Sequence, residues 1–246
     1  MCGRYTLFTA AGDLEARFDA DFDGVEPSYN CAPGQNLPVI AADAPDRATR
    51  MKWGLTPAWA DESFDLINAR AETVREKRSF ADAFERRRCL VPADGFYEWV
   101  DGDADVTDDR CRGDSDKTPY RVAFEDDRPF AMAGLYERWE PPEPETTQTG
   151  LGAFGGGVGA EFDDGSGPVE TFTVVTTESN DLVADLHHRM AVILEPDEEA
   201  TWLRGDPDEA AALLDPYPAD ELTAYPVSTR VNSPAVDAPD LIDRLA

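Results

Sequence analysis

The 246-residue chain is short of positive charge. It carries three lysines and two histidines, and 22 Lys and Arg residues face 51 Asp and Glu, leaving a net charge of −29. Affinity for nucleic acid rests largely on Lys and Arg neutralising phosphates. A polyanion binder that uses its whole surface is therefore excluded, and any such partner must be met by a local basic track. The acidic runs at 101–109 and 206–209 read as solvated faces, and the overall pattern points to a salt-adapted proteome in which ions screen self-repulsion. Long apolar runs are missing as well: none approaches the ~18 residues of a membrane span, and no basic-then-apolar leader opens the chain, so a cytoplasmic protein without membrane contact is expected. Cysteine is scarce. Cys2, Cys31, Cys89 and Cys111 have neither CxxC spacing nor the density of a disulfide framework, which argues against a structural metal site and leaves reduced thiols.

What is present begins at the second residue. Met1-Cys2-Gly3-Arg4-Tyr5 places a small side chain after a methionine, so methionine removal would leave Cys2 with a free α-amine and a thiol on adjacent carbons, a 1,2-aminothiol. An α-amine titrates near roughly 7.7–8.0, so part of it is unprotonated at neutral pH and able to attack an aldehyde. The thiol can then close a five-membered thiazolidine ring, a step favoured because it is intramolecular. The opposing reading of Cys2 is a small buried hydrophobe, the commoner fate of a free cysteine.

Along the chain, 7–18 reads as a strand and a short helix, and 26–40 as a loop leading into a strand, with Asn30 able to tie that loop down through its own amide. Trp53 and Trp59 flank a glycine and a proline, either as core or as a platform for stacked bases. If 67–73 is extended, Asn68, Arg70 and Glu72 share one face, which is a polar site or merely a solvated edge. Residues 74–88, with Phe80 and Phe84 four apart and a basic cluster at 86–88, form the clearest amphipathic helical pattern. Residues 89–100 read as two strands interrupted at Asp94-Gly95. Glu98 lies there between aromatics, so it is either turned to water or held with a shifted pKa for acid-base work. Strands are expected at 120–125, 130–139 and 170–177, and helices at 198–203 and 207–214. Asn180 can cap a short helix that delivers the adjacent His187 and His188 to the start of a buried-looking strand. Residues 101–117 and 141–168 have insertion-like composition and no periodicity.

Seven ordered blocks resemble the SOS response associated peptidase (SRAP) family, proteins that crosslink themselves to abasic sites in DNA. They are Cys2-Gly3-Arg4-Tyr5, Tyr29-Asn30 with Ala32-Pro33, Trp53-Gly54-Leu55 with Pro57-Ala58-Trp59, Asn68-Ala69-Arg70-Ala71-Glu72-Thr73, Cys89 to Trp99, His187 to Leu194, and Pro226-Val227-Ser228 with Val231-Asn232. Ala191, where the family usually has proline, and Cys31, where it often has an aliphatic residue, depart from the pattern. The resemblance implies an α+β fold with twisted antiparallel sheets in a barrel-like core flanked by helices, formed as one domain over 1–246 with insertions at 101–117 and 141–168. It implies Cys2 as nucleophile with Asn68, Glu98 and His187 as its polar partners, and Arg4, Arg70, Trp53, Trp99, Asn30 and Pro33 on the DNA side. It also implies a monomer that takes single-stranded DNA containing an abasic site and needs no metal or cofactor. Two other readings stay open: an amidohydrolase or peptidase using the Cys2 thiol, and a non-covalent DNA-binding module with Cys2 buried.

Overall fold

Residues 170–177 are dominated by the β-branched side chains of Val and Thr around one aromatic, Phe172, which suits a strand packed on both faces. In the computed structural model this segment is the seam on which a sheet closes. The structure describes residues 2–101, 117–142 and 167–245. In chain order the elements are β1 (Tyr5–Leu7), α1 (Ala11–Phe18), β2 (Ser28–Cys31), β3 (Asn36–Ala41), β4 (Ala44–Trp53), β5 (Asn68–Arg70), α2 (Ala81–Arg86), β6 (Arg88–Ala93) and β7 (Gly95–Asp101). They continue with β8 (Lys117–Phe124), β9 (Phe130–Trp139), β10 (Val169–Glu178), α3 (Asp181–Ala184), β11 (Arg189–Ala191), β12 (Ile193–Leu194), α4 (Glu199–Arg204), α5 (Pro207–Ala211) and β13 (Leu222–Pro226). Strands β10, β4, β3, β6 and β9 pair in a ring that closes through β9 and β10, so the barrel-like core is present as five strands. All of these pairings are antiparallel except β4 with β10. β5 and β11 extend β10 beyond the ring on its two edges. A second, open sheet runs β13-β8-β7-β1-β2, and short helices complete the α+β mix.

The Asp94-Gly95 junction is not a hairpin. It is where the chain leaves the barrel strand β6 and enters the second sheet as β7. Asp94 accepts the backbone N–H groups of Phe8 (2.6 Å) and Thr9 (2.9 Å). The buried Arg121 donates to the Asp94 carbonyl at 2.7 Å and pairs with Asp127 at 2.6 Å. A side chain at position 95 would begin 2.7 Å from the Arg121 guanidinium, which explains the glycine. This buried network fixes β1 against β7.

The amphipathic pattern over 74–88 folds mostly as turns, with regular helix only over Ala81–Arg86. The basic cluster inside it is consumed by structure. Arg87 pairs with Asp82 and with Glu137 (2.5 Å), while Arg88 turns inward and donates to the carbonyls of Phe84 (2.7 Å), Gly205 (2.6 Å) and Trp202. Phe84 meets Trp202 edge-on at 5.8 Å, locking α2 to α4 outside the barrel. The two expected insertions fall almost wholly outside the described residues.

Candidate functional site

β1 sets the chain's first residues beside β7. Tyr5 lies opposite Phe96, and the Tyr97 N–H donates to the Arg4 carbonyl at 2.9 Å. The same ladder carried one pair further puts Gly3 beside Glu98. Asn68, first residue of β5, donates from Nδ2 to the Cys2 carbonyl at 2.9 Å. Its Oδ1 is buried and has no hydrogen-bond partner among the described residues, an acceptor open to a donor from the segment it holds. Ala69 points into the core while Asn68 and Arg70 share the other face, as strand alternation requires.

His187 follows α3, whose N-cap Asn180 accepts the Val183 N–H at 2.9 Å and donates to the Tyr217 carbonyl at 2.7 Å. Backbone bonds from Leu186 and His187 to Val183 complete the turn. Nδ1 of His187 lies 3.1 Å from both the carbonyl oxygen and the amide nitrogen of Arg189, so chemistry at this ring falls to Nε2. His188 is exposed and stacks obliquely on His187 at 4.3 Å.

Cys2 is fully buried. Burial, with the Glu98 charge adding to it, pushes its thiol up to about 12, and the positive chain terminus opposes this. Glu98 is 2% exposed, and burial pushes its carboxyl up to about 7 against the pull of the same terminus. His187 is lowered, first by burial and further by that terminal charge. The Glu98 charge acts directly on Cys2, and Asn68 is bonded to Cys2 itself. Of the four expected polar residues, Cys2, Asn68 and Glu98 are thereby joined, while His187 stands in the loop before β11. At neutral pH the arrangement holds a protonated thiol, a carboxyl poised to give or take a proton, and a largely neutral imidazole. Among the described residues no cluster of three or more His, Cys, Asp or Glu is placed to hold a metal, and no helix is long and apolar enough to cross a membrane.

The residues expected on the DNA side divide. Arg70 and Pro33 are exposed. Trp99 is half-buried, its indole N–H bonded to Asn232 at 2.7 Å. Arg4 donates to Asn30 Oδ1 (2.6 Å) and to the Val231 carbonyl (2.7 Å). Asn30 is buried, its amide donating to the carbonyls of Val231, Ser233 and Val236, so it ties the C-terminal segment to β2 and offers nothing to solvent. Trp53 is fully buried between Tyr5 and Phe172, with its N–H on the Ile67 carbonyl, and has no free ring face. Gly54, at φ 133°, then bends the chain outward, and Trp59 emerges 41% exposed with the Arg78 guanidinium 4.0 Å above its ring.

Sequence reasoning names Trp59 together with Trp53 as a stacking candidate, and nothing local ranks one above the other. It misses the roles of two further residues. Tyr120 lies directly across from Glu98 in the β7–β8 register, a relation only the fold supplies. Arg189 pairs bidentately with Glu72 at 2.6 and 3.0 Å, joining segments 117 positions apart.

Comparison with known proteins agrees with this geometry. The SOS response associated peptidase (SRAP) family model matches residues 1–234. The abasic site processing protein YoqW of Bacillus subtilis is 39% identical over 254 residues, covering 99% of each chain. The abasic site processing protein HMCES of Xenopus tropicalis is 32% identical, covering 98% of this chain and 77% of that one. A crystal structure of a protein from Bacteroides thetaiotaomicron superposes with a TM-score of 0.77 at 26% identity over the full length of both chains. The chain belongs to the SOS response associated peptidase family.

Proposed function

We propose that this protein processes abasic sites in single-stranded DNA by forming a covalent thiazolidine through Cys2 once Met1 has been removed. The ring-opened sugar of an abasic site presents an aldehyde at C1′, the electrophile an aminothiol takes. The Cys2 amine adds to C1′ to give a carbinolamine, and loss of water leaves an imine. Because water leaves with a proton from Glu98, the imine is left protonated. The thiol sulfur adds to the same carbon, the iminium N–H becomes the ring N–H, and the thiol proton is released to Glu98. Asn68 holds the Cys2 carbonyl and offers Oδ1 to the amine. Glu98, poised near neutrality, protonates the departing hydroxyl and then collects the thiol proton. His187 Nε2–H gives its proton to the sugar ring oxygen as the C1′–O4′ bond breaks and takes back the proton of the C1′ hydroxyl, so the aldehyde forms and the imidazole is neutral before and after. Arg70 is the exposed phosphate contact, and base stacking falls to Trp59 and the open edge of Trp99; Arg4 holds the terminal segment in place.

The observation that carries this reading is the Asn68 Nδ2 bond to the carbonyl of a buried Cys2, with the buried Glu98 carboxyl close enough for its charge to act on the Cys2 thiol. A thiol pushed up to about 12 also favours attack by the amine before the sulfur, which weighs against an amidohydrolase that needs a thiolate first. The test is a heat-resistant gel shift with abasic single-stranded DNA. Wild-type protein should give it, Cys2→Ala should not, and Cys2→Ser should give an adduct that survives only after borohydride reduction of the imine. A stable shift with Cys2→Ala overturns the mechanism.

A further inference from the structure

Two walls of the site come from different segments. Asn68 opens β5 on one edge of β10, and His187 lies two residues before β11 on the opposite edge. Neither segment is long: β5 and β11 have three residues each, and a three-residue strand holds its place weakly unless something anchors it. Arg189, first residue of β11, supplies the anchor. Its buried guanidinium crosses β10 and forks onto Glu72, with Nη1 on Oε1 at 2.6 Å and Nη2 on Oε2 at 3.0 Å. Nη2 also donates to the Thr176 carbonyl at 2.5 Å, the oxygen that accepts the Ala71 N–H at 2.8 Å. Thr176 O is thus a node shared by the stretch after Asn68 and the stretch after His187. The Arg189 backbone meanwhile engages His187 Nδ1, which accepts the Arg189 N–H in one tautomer and donates to the Arg189 carbonyl in the other, at 3.1 Å in each case. Glu72 is held below the usual carboxylate range by the Arg189 hydrogen bonds, so the pair stays charged throughout the neutral range.

We propose that Arg189 and Glu72 form a positioning pair that clamps the His187 loop to the Asn68 strand across β10, setting the distance between the two groups that flank Cys2. The pair touches neither the sugar nor the thiol. It acts through His187 and Asn68, and a planar fork that satisfies both carboxylate oxygens fixes orientation in a way a lysine cannot. Because the proposal rests on the crosslinking reading above, its test is run only as a comparison with wild-type protein that forms the adduct.

The informative variant is Glu72→Gln, whose side chain is 52% exposed and whose loss leaves the fold in place, followed by Arg189→Lys and the double variant. The crosslinking rate is measured against the concentration of abasic single-stranded DNA, with thermal melting as a folding control. Loss of the clamp should lower the rate at saturating DNA by roughly ten- to a hundredfold while the half-saturating concentration stays the same. The double variant should be no slower than the slower single variant, because both remove one interaction. The His187 ring resonances should shift in Glu72→Gln, a signature that simple stabilisation would not give. If instead Arg189 contacts phosphate, Glu72→Gln frees it and tightens half-saturation, Arg189→Lys weakens it, and the slope of log affinity on log salt changes by about one; that result overturns the proposal. Wild-type rates in a folded Glu72→Gln protein overturn it equally. If wild-type protein forms no adduct, the proposed function fails, a separate outcome from failure of the clamp.

Discussion

Replacing Glu98 by glutamine tests the burial of its carboxyl and its chemistry in one protein. The Glu98 carboxyl is 2% exposed, and burial moves it from its ordinary 4.5 up to about 7. Below pH ~4.5 the folded and unfolded chains both hold the proton. Between about 4.5 and 7 the unfolded chain releases it while the folded chain keeps it, so stability falls as pH rises through this window. Above about 7 the full penalty applies, about 3 kcal/mol from the size of the displacement. Glu98→Gln carries no such penalty, so by pH 8 it should gain up to about 3 kcal/mol on wild type relative to the same comparison at pH 4.5. In a chain of this size that is a melting difference of about 6–12 °C. Urea titrations of both proteins at the two pH values give the difference directly. The same substitution should slow adduct formation by about 10²–10⁴ and remove the alkaline fall in rate, leaving only the rise as the α-amine loses its proton. A pH-independent stability difference, or a variant that keeps the alkaline limb, would refute the assignment of a buried, protonatable carboxyl.

Three further substitutions probe the surroundings of the site and the fold that carries it. Trp53→Ala should destabilise the fold by about 3–5 kcal/mol because it empties a core position. Trp59→Ala should leave the melting curve within about 0.5 kcal/mol of wild type and weaken single-stranded DNA binding by about 1–3 kcal/mol, as read by calorimetric melting and fluorescence anisotropy. Asp94→Ala strips the caps from Phe8 and Thr9 and removes a buried carboxylate 3.9 Å from Arg121, which keeps Asp127, the Tyr225 hydroxyl and the carbonyl of residue 94. A loss of about 3–5 kcal/mol is expected in denaturant titrations, and a loss below about 1 kcal/mol would show that the β1–β7 junction does not depend on this carboxylate.

Much of this fold could be read from local pattern. The β-branched run at 170–177, the Asn180 cap and the helix expected at 198–203 all rest on short-range chemistry and form as the residue types dictate, while the helix expected over 207–214 stops at Ala211. Where neighbours far along the chain decide, the reading failed. The amphipathic pattern over 74–88 yields only six residues of helix, since Arg88 is drawn inward by three carbonyls from α2 and α4. Trp53 and Trp59 are chemically equivalent in sequence, and only the bend at Gly54 sends one into the core and the other to solvent. Glu98 among aromatics left two readings open, and burial decides between them. Asn30 is held by a C-terminal segment some 200 residues away, so its loop-tying use wins over any contact with DNA. The Arg189–Glu72 pair had no local signal at all, because it exists only once β10 lies between its two ends.

Cys2 is covered in the chain that still begins with Met1, so chemistry at this residue requires that methionine to leave. Intact mass spectrometry after incubation with an abasic oligonucleotide reads both events at once. The expected species is the protein lacking Met1 joined to the oligonucleotide less one water, resistant to heat without any reducing agent. A chain that retains Met1, or an equally heat-resistant adduct formed by Cys2→Ala, would contradict an aminothiol crosslink.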